Sequence, residues 1–161
     1  MSHVLYLDFD GVLHPEDVWA RPRRGPYVRS PHGHQLFEHA EVLGDLLEPY
    51  PAVRVVLSTS WVCRYGYTGT VRFLPHRLAR RCIGATYHSA MRRDPFAQLL
   101  RGTQVLGDVR RRKPAQWLAI DDVDEGWSTF RDQVVLTHPV GGIAHPPVFE
   151  TLRDALERFL E

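Results

Sequence analysis

The chain is poor in cysteine, in lysine and in long apolar runs, and each shortage removes a class of function. Its two cysteines, Cys63 and Cys82, stand in no CxxC pair and at no metal-ligand spacing. A disulfide framework and a thiolate metal site are therefore not expected, and a reducing compartment is. No apolar run approaches the roughly 20 residues that a membrane-spanning helix needs. The first residues enter a strand pattern rather than a charged leader with an apolar core, so a cytoplasmic location is expected. Surplus charge is also missing: 20 Lys and Arg against 19 Asp and Glu leave a formal +1, which selects no polyanionic partner by bulk attraction. Lys113 is the only lysine. The arginines that replace the rest offer a planar fork suited to phosphate, although an Ala-, Pro- and Arg-rich chain can also follow from coding bias. Neither the dinucleotide glycine fingerprint nor the Walker phosphate loop occurs, which leaves nicotinamide and ATP-hydrolysing chemistry little support. With no internal repeat or long linker, residues 1–161 are expected to form a single domain.

What is present is organised around His3 to Pro15, HVLYLDFDGVLHP. Val4 to Leu7 form a continuous apolar run, the pattern of a strand buried on both faces of a parallel sheet. Alternation then sends Asp8 and Asp10 to one side of the strand's end and Phe9 to the other. Gly11 permits a sharp turn and close backbone approach to an anion. An EF-hand reading of DxDG fails, because Val12, Leu13 and Pro15 occupy positions where calcium ligands would have to continue. A second acidic pair, Asp121 and Asp122, ends the apolar run Trp117 to Ile120.

Further apolar periodicity predicts helices over Gln35 to Tyr50, Val71 to Cys82 (interrupted near Pro75), Pro95 to Leu100, Thr103 to Arg111 (with a break at Gly102) and Pro147 to Leu160. Strands are expected at Val53 to Leu57, Ile83 to Tyr87 and Val134 to Thr137, and a turn at Gly66 to Thr70. The Pro-, Arg- and Gly-rich stretch from Pro15 to Pro31 reads as an irregular loop or short flap, part of an insertion at about 11–34. Alternating strands and helices imply a Rossmann-like three-layer α/β/α sandwich with a mainly parallel five-stranded sheet. Ligands bind such sheets outside the carboxyl ends of the strands, where Asp8, Asp10, Ser58, Asp121 and Asp122 are expected to converge.

That constellation suits phosphoryl chemistry. Asp8, Asp10, Asp121 and Asp122 can hold Mg2+, which prefers oxygen ligands and a substrate phosphate. Asp8 would then be the nucleophile, and Asp10 the group that protonates the leaving oxygen and later deprotonates water. Charge on the equatorial oxygens calls for donors: backbone amides from Phe9 to Gly11, the Ser58 hydroxyl and one basic side chain.

DFDGVL, a strand ending in serine, a basic residue and a strand ending in DD resemble the haloacid dehalogenase (HAD) superfamily. LDFDGVLHP, VVLSTSW, the segment Arg101 to Gln104 and WLAIDD resemble more closely the small HAD domains associated with Swiss-army-knife RNA-repair proteins. The resemblance implies a capless, C0-type HAD fold with an open site and nucleic-acid repair as a setting. It matches Asp8 to the nucleophile, Asp10 to the acid/base residue whose main-chain carbonyl also meets the metal, and Ser58 to the phosphoryl-binding hydroxyl, with Thr59 beside it. Asp122 matches the metal ligand, accompanied by Asp121. Arg101 is the favoured basic phosphate-binding residue, with Lys113 as the alternative, while Arg92 and Arg93 are expected to be solvated. The chain departs from the closest pattern after Trp61, where Val62 and Cys63 precede Arg64. His14 is a candidate leaving-group contact.

The resulting expectation is a Mg2+-dependent phosphomonoester hydrolase working through an aspartyl-phosphate, on a phosphorylated small molecule, a nucleotide or a nucleic-acid end. Val12, where phosphoprotein phosphatases of this kind carry threonine, argues against that branch. A non-catalytic nucleic-acid or protein-binding module on the same fold is the alternative. Dehalogenation, which needs no metal pair, and phosphomutation, which needs a cap, rank lower.

Overall fold

The computed structural model describes residues 2–30 and 32–160. In chain order its elements are β1 (His3–Leu7), β2 (Val18–Arg21), β3 (Gly25–Val28), α1 (Ala40–Leu47), β4 (Val53–Leu57), α2 (Trp61–Val71), α3 (His76–Ala79), β5 (Cys82–Ala85), α4 (Arg93–Ala97), α5 (Arg101–Arg112), β6 (Gln116–Asp121), β7 (Val134–Leu136) and α6 (Pro146–Leu160). A 3-10 turn over Ser128–Gln133 leads into β7.

Five strands form one sheet in the order β5-β4-β1-β6-β7, and every pairing is parallel. Strand β1 is central, which is why Val4, Leu5, Tyr6 and Leu7 are all fully buried. Alternation divides them between two cores. Leu5 and Leu7 join Val53, Val55, Leu57, Leu118 and Ile120 beneath Leu43 and Leu47 of α1 and Leu152 and Leu156 of α6. Val4 and Tyr6 join Val56, Trp117 and Ala119 against Val105 and Leu106 of α5 and the buried Trp127. Helices on both faces of a parallel sheet give the three-layer α/β/α sandwich expected from the sequence.

The second core contains one polar network. Tyr6 donates its hydroxyl proton to Asp108 Oδ2 at 2.7 Å, and Arg112 Nε donates to the same oxygen at 2.8 Å. Burial, with the Asp108 charge adding to it, pushes the Tyr6 hydroxyl well above its ordinary range. Satisfied in this way, the group can sit in the interior without the cost of an unpaired polar atom.

Several elements differ from the sequence expectation. The flap is an ordered antiparallel hairpin, β2–β3, with Val18 opposite Val28 and Arg23 and Gly25 at positive φ in its turn. Helix α1 starts at Ala40 rather than Gln35, because Phe37 adopts φ +57 and breaks the helical path. Gly66 to Thr70 is not a turn. It lies inside α2, where Gly66 alone leaves helical geometry at φ 73 and ψ 168. Pro75 precedes α3 as its N-cap instead of interrupting a longer helix, which accords with the missing N–H of proline. The break near Gly102 lies earlier, since α4 ends at Ala97 and α5 runs from Arg101 through Gly102. The third strand is Cys82–Ala85, earlier and shorter than Ile83 to Tyr87. Among the described residues, no helix is long and apolar enough to cross a membrane.

Candidate active site

Strand register assembles the site. Leu7 is level with Leu57 on one side and Ile120 on the other, so the residues that follow, Asp8, Ser58 and Asp121, emerge side by side at one sheet edge. Backbone bonds continue the ladder there: Asp8 N–H donates to Ile120 O (3.3 Å), Ser58 N–H to Leu7 O (2.9 Å) and Thr137 N–H to Asp121 O (3.0 Å). Oxygens from Asp8, Asp121 and Asp122 all lie within 4.8 Å of one another. Asp8 is 3% exposed and Asp121 fully buried.

Arg101, the first residue of α5, sends Nη1 into this cluster, 3.0 Å from Asp8 Oδ1, 3.1 Å from Asp121 Oδ2 and 2.8 Å from the Ser58 carbonyl. Burial alone would weaken its proton affinity, but the Asp8 and Asp121 charges outweigh that and hold the guanidinium firmly protonated. Lys113 sits at the opposite end of α5, as its left-handed C-cap, about 18 Å along a 12-residue helix. Geometry therefore brings Arg101 into the cluster and leaves Lys113 out of it. Arg92 is the N-cap of α4, and Arg93 is an exposed partner of Asp94.

The position of Arg101 depends on its neighbour. A Cβ on Gly102 would lie 2.2 Å from the Gly126 carbonyl carbon, and Gly102 N–H donates to Glu125 O at 2.9 Å. The start of α5 is thus pressed directly onto the loop after the Asp121–Asp122 pair. Gly11 plays a comparable part at β1. It has φ +75, and a Cβ there would come within 2.6 Å of Asp122 Oδ2. Its own N–H is occupied by His14 O at 3.0 Å, so Gly11 contributes shape rather than a donor. The Phe9 ring packs edge-on against Phe37 and Trp61, leaving only its backbone at the site.

Ser58 Oγ is a buried polar atom with no hydrogen-bond partner, the one such side-chain atom among the described residues. An orphaned hydroxyl carries a free-energy penalty unless a ligand satisfies it. Thr59 is already engaged, its Oγ1 accepting from Trp61 N–H at 3.2 Å at the start of α2.

Asp10 faces differently. Its carboxylate stands outside the three-residue cluster, and one oxygen, Oδ1, accepts from both Trp61 Nε1 (3.0 Å) and His14 Nε2 (2.8 Å). His14 Nδ1 receives the Phe37 backbone N–H at 3.1 Å, and a backbone N–H can only donate, so the ring proton belongs on Nε2. His14 is fully buried. His14 is thus neither a solvated turn residue nor the candidate leaving-group contact: a ring with no exposed surface supports Asp10 from behind. Neither this role nor that of Trp61 was apparent from the sequence, although both residues lie in the motifs that carry the resemblance.

Three carboxylates, those of Asp8 and Asp121 buried and that of Asp122 partly so, against one guanidinium leave a formal excess of two negative charges. Desolvation, reinforced by the Asp8 charge, raises the carboxyl groups of Asp121 and Asp122 above the ordinary carboxylate range. A hard dication would cancel the excess, and an all-oxygen donor set is what Mg2+ prefers, so the residues fit that ion.

An all-parallel α/β sheet with a carboxylate cluster, an orphaned hydroxyl and an arginine at its carboxyl edge defines a HAD-type hydrolase domain. The chain belongs to the family described as the HAD domain in Swiss Army Knife RNA repair proteins, whose model matches residues 4–148. Comparisons with curated proteins and with solved structures found no match.

The raised carboxyl groups make the metal-free fold sensitive to pH. Because the folded state holds protons at Asp121 and Asp122 more tightly than an unfolded chain does, these sites favour folding at low pH. The penalty appears as pH rises from the ordinary carboxylate range through neutrality. In EDTA, Asp122→Asn should raise Tm by about 3 °C at about pH 8, the shift expected for roughly 1 kcal/mol in a chain of this size, and by almost nothing near about pH 4. Thermal melts across that range check it, and a gain that is the same at both ends would contradict the electrostatic reading.

Proposed function

We propose that the protein is a Mg2+-dependent phosphomonoester hydrolase acting through an aspartyl-phosphate on Asp8, with a nucleotide or nucleic-acid end as substrate. The observation that carries this reading is the Ser58 hydroxyl, buried and unpaired beside a carboxylate cluster that holds a protonated arginine. A phosphoryl oxygen accepts from both a hydroxyl and a guanidinium, so a phosphate ester bound together with a cation would satisfy Ser58 Oγ.

In the proposed reaction an Asp8 oxygen attacks phosphorus as the bond to the leaving oxygen breaks, and Asp10 delivers its proton to that oxygen. Water then attacks phosphorus, the Asp8–phosphorus bond breaks, and the water proton returns to Asp10. Arg101 and Ser58 hold the phosphoryl oxygens. Asp8, Asp121 and Asp122, with the Asp10 main-chain carbonyl, are the groups that would hold Mg2+, which when bound neutralises the carboxylate and phosphoryl charge. With Oδ1 accepting from two donors, this reading gives the proton transfer to Oδ2. The β2–β3 hairpin, whose Val18, Trp19, Ala20 and Pro26 line a cleft with Asp10, carries Arg21, Arg23 and Arg24, with Arg29 just after it, and this charge supports a polyanionic substrate.

Phosphate release from a generic aryl phosphate should require Mg2+ and fall by at least about a thousandfold in Asp8→Asn, within the range that nucleophile removal costs. Equal activity in wild type and variant would end the nucleophile assignment. A 3′-phosphorylated oligonucleotide should turn over faster than the matching mononucleotide and lose that advantage as salt is added. Equal, salt-insensitive rates would remove the nucleic-acid end from the proposal.

His14→Phe keeps the ring's bulk, deletes one donor to Asp10 and leaves the Phe37 N–H without its acceptor. Turnover of phenyl phosphate, whose leaving oxygen needs a proton, should fall about tenfold, while p-nitrophenyl phosphate falls less than about twofold. Parallel losses on both esters would indicate general disruption and not a misplaced proton donor.

A further inference from the structure

Two clefts adjoin the site, and they differ in which reactive group they contain. One, of about 290 Å3, is lined by Thr59, Cys63, Phe96, Leu100, Arg101 and Gln104. The other, of about 240 Å3, is lined by Asp10, Trp19, Pro26, Trp61, Arg64 and Tyr65. A proton donor must lie within hydrogen-bond reach of the leaving oxygen, so whatever that oxygen is attached to extends into the cleft that holds Asp10.

The walls of that cleft say what it accepts. Trp19, on β2, is 49% exposed yet fixed in place: its Nε1 donates to Asp17 Oδ1 at 2.6 Å, and the Arg29 guanidinium stacks 5.3 Å from its ring centre. Tyr65, which lines the same cleft, packs on Trp61 and Phe73 with ring centres 5.7 and 5.4 Å away, and the Arg64 guanidinium lies 5.4 Å from the Tyr65 ring centre. An exposed indole held by a hydrogen bond, in a cleft that a second aromatic also lines, offers a stacking surface with little conformational entropy to lose. The volume is below the roughly 300–1,000 Å3 of pockets for drug-sized ligands, which suits one ring system and its sugar. An arginine at the rim and another behind Trp19 favour a ligand that carries further negative charge.

We propose that this cleft is the leaving-group subsite and takes the nucleoside bearing the scissile phosphate, its base stacked on Trp19 and Arg64 poised for the neighbouring phosphate of a strand. The proposal rests on the reading of Asp10 as the proton donor, and it predicts discrimination that the catalytic groups alone cannot supply. Trp19 touches none of the phosphoryl-binding residues, so its loss leaves the chemistry of a small ester intact.

Steady-state kinetics on wild type, Trp19→Ala and Trp19→Phe with nucleoside 3′- and 5′-monophosphates, a phosphotyrosyl peptide and glycerol phosphate test it. Trp19→Ala should raise KM for a nucleoside monophosphate about tenfold, in the range base stacking provides, and change kcat/KM for glycerol phosphate less than about twofold. Trp19→Phe should restore most of the loss. Equal effects on all esters, or a Trp19 dependence confined to the phosphotyrosyl peptide, would overturn the nucleoside assignment. Binding of a nucleoside monophosphate to Asp8→Asn, followed by intrinsic fluorescence, reads the cleft without chemistry. Affinity lost in Asp8→Asn/Trp19→Ala supports the subsite even where hydrolysis fails, and absence of binding refutes it even where glycerol phosphate is hydrolysed.

Discussion

The site depends on one positive charge placed among several negative ones. Arg101 Nη1 touches Asp8, Asp121 and the Ser58 carbonyl at once, so a single guanidinium ties together the ends of β1, β4 and β6. Removing it would leave buried carboxylates facing each other with no compensation, and burial of unpaired charge is among the costliest things a fold can contain. Yet one arginine is insufficient for three carboxylates. The residual excess of negative charge is what suits the cluster to a cation, and in the proposed reaction the same arginine, already aimed at Asp8, turns part of its hydrogen-bonding capacity to a phosphoryl oxygen.

Two glycines make that placement possible, and they act through space, not through flexibility alone. The Gly102 and Gly126 backbones are so close that a methyl group at Gly102 has no room, which fixes where α5 begins and hence where Arg101 points. At the opposite wall, Gly11 lets the β1 turn pass against Asp122. Sequence patterning flagged Gly102 as a helix breaker because glycine weakens helices on average. Here it lies in the first turn, where tertiary packing outweighs propensity.

Much of the architecture was legible because its signals are strong and local. Val4 to Leu7, Val53 to Leu57 (apolar but for Arg54) and Trp117 to Ile120 are short, dense apolar segments of the kind a doubly covered sheet buries, and acidic or hydroxyl residues end all three. Arg101 could be preferred over Lys113 from the room a crossover helix needs before Trp117. What was not legible is either short or non-local. The β2–β3 hairpin has four-residue strands in a Pro- and Arg-rich stretch, with half-exposed faces and no clean alternation. Helix α2 was obscured by Gly66, which departs from helical geometry without ending the helix. The link from His14 and Trp61 to Asp10 spans 4 and 51 residues, and no pattern along the chain announces a shared acceptor oxygen.

That shared acceptor separates the two aspartates of the DxD motif. Asp8 and Asp10 are chemically identical and two positions apart, so any difference in role must come from their surroundings. Asp8 is buried against a guanidinium and beside two further carboxylates, an environment that fixes it within the three-carboxylate cluster. Asp10 is a third exposed, stands outside the cluster, and has one oxygen tied to two neutral N–H donors. With Oδ1 committed, the proposed proton transfer falls to its second oxygen. The aromatic packing of Phe37 and Trp61 holds His14 and so keeps that orientation without placing another charge near the reacting groups. A charged donor would compete with Arg101 for the phosphoryl oxygens, whereas neutral donors set direction and leave the electrostatic balance of the cluster untouched.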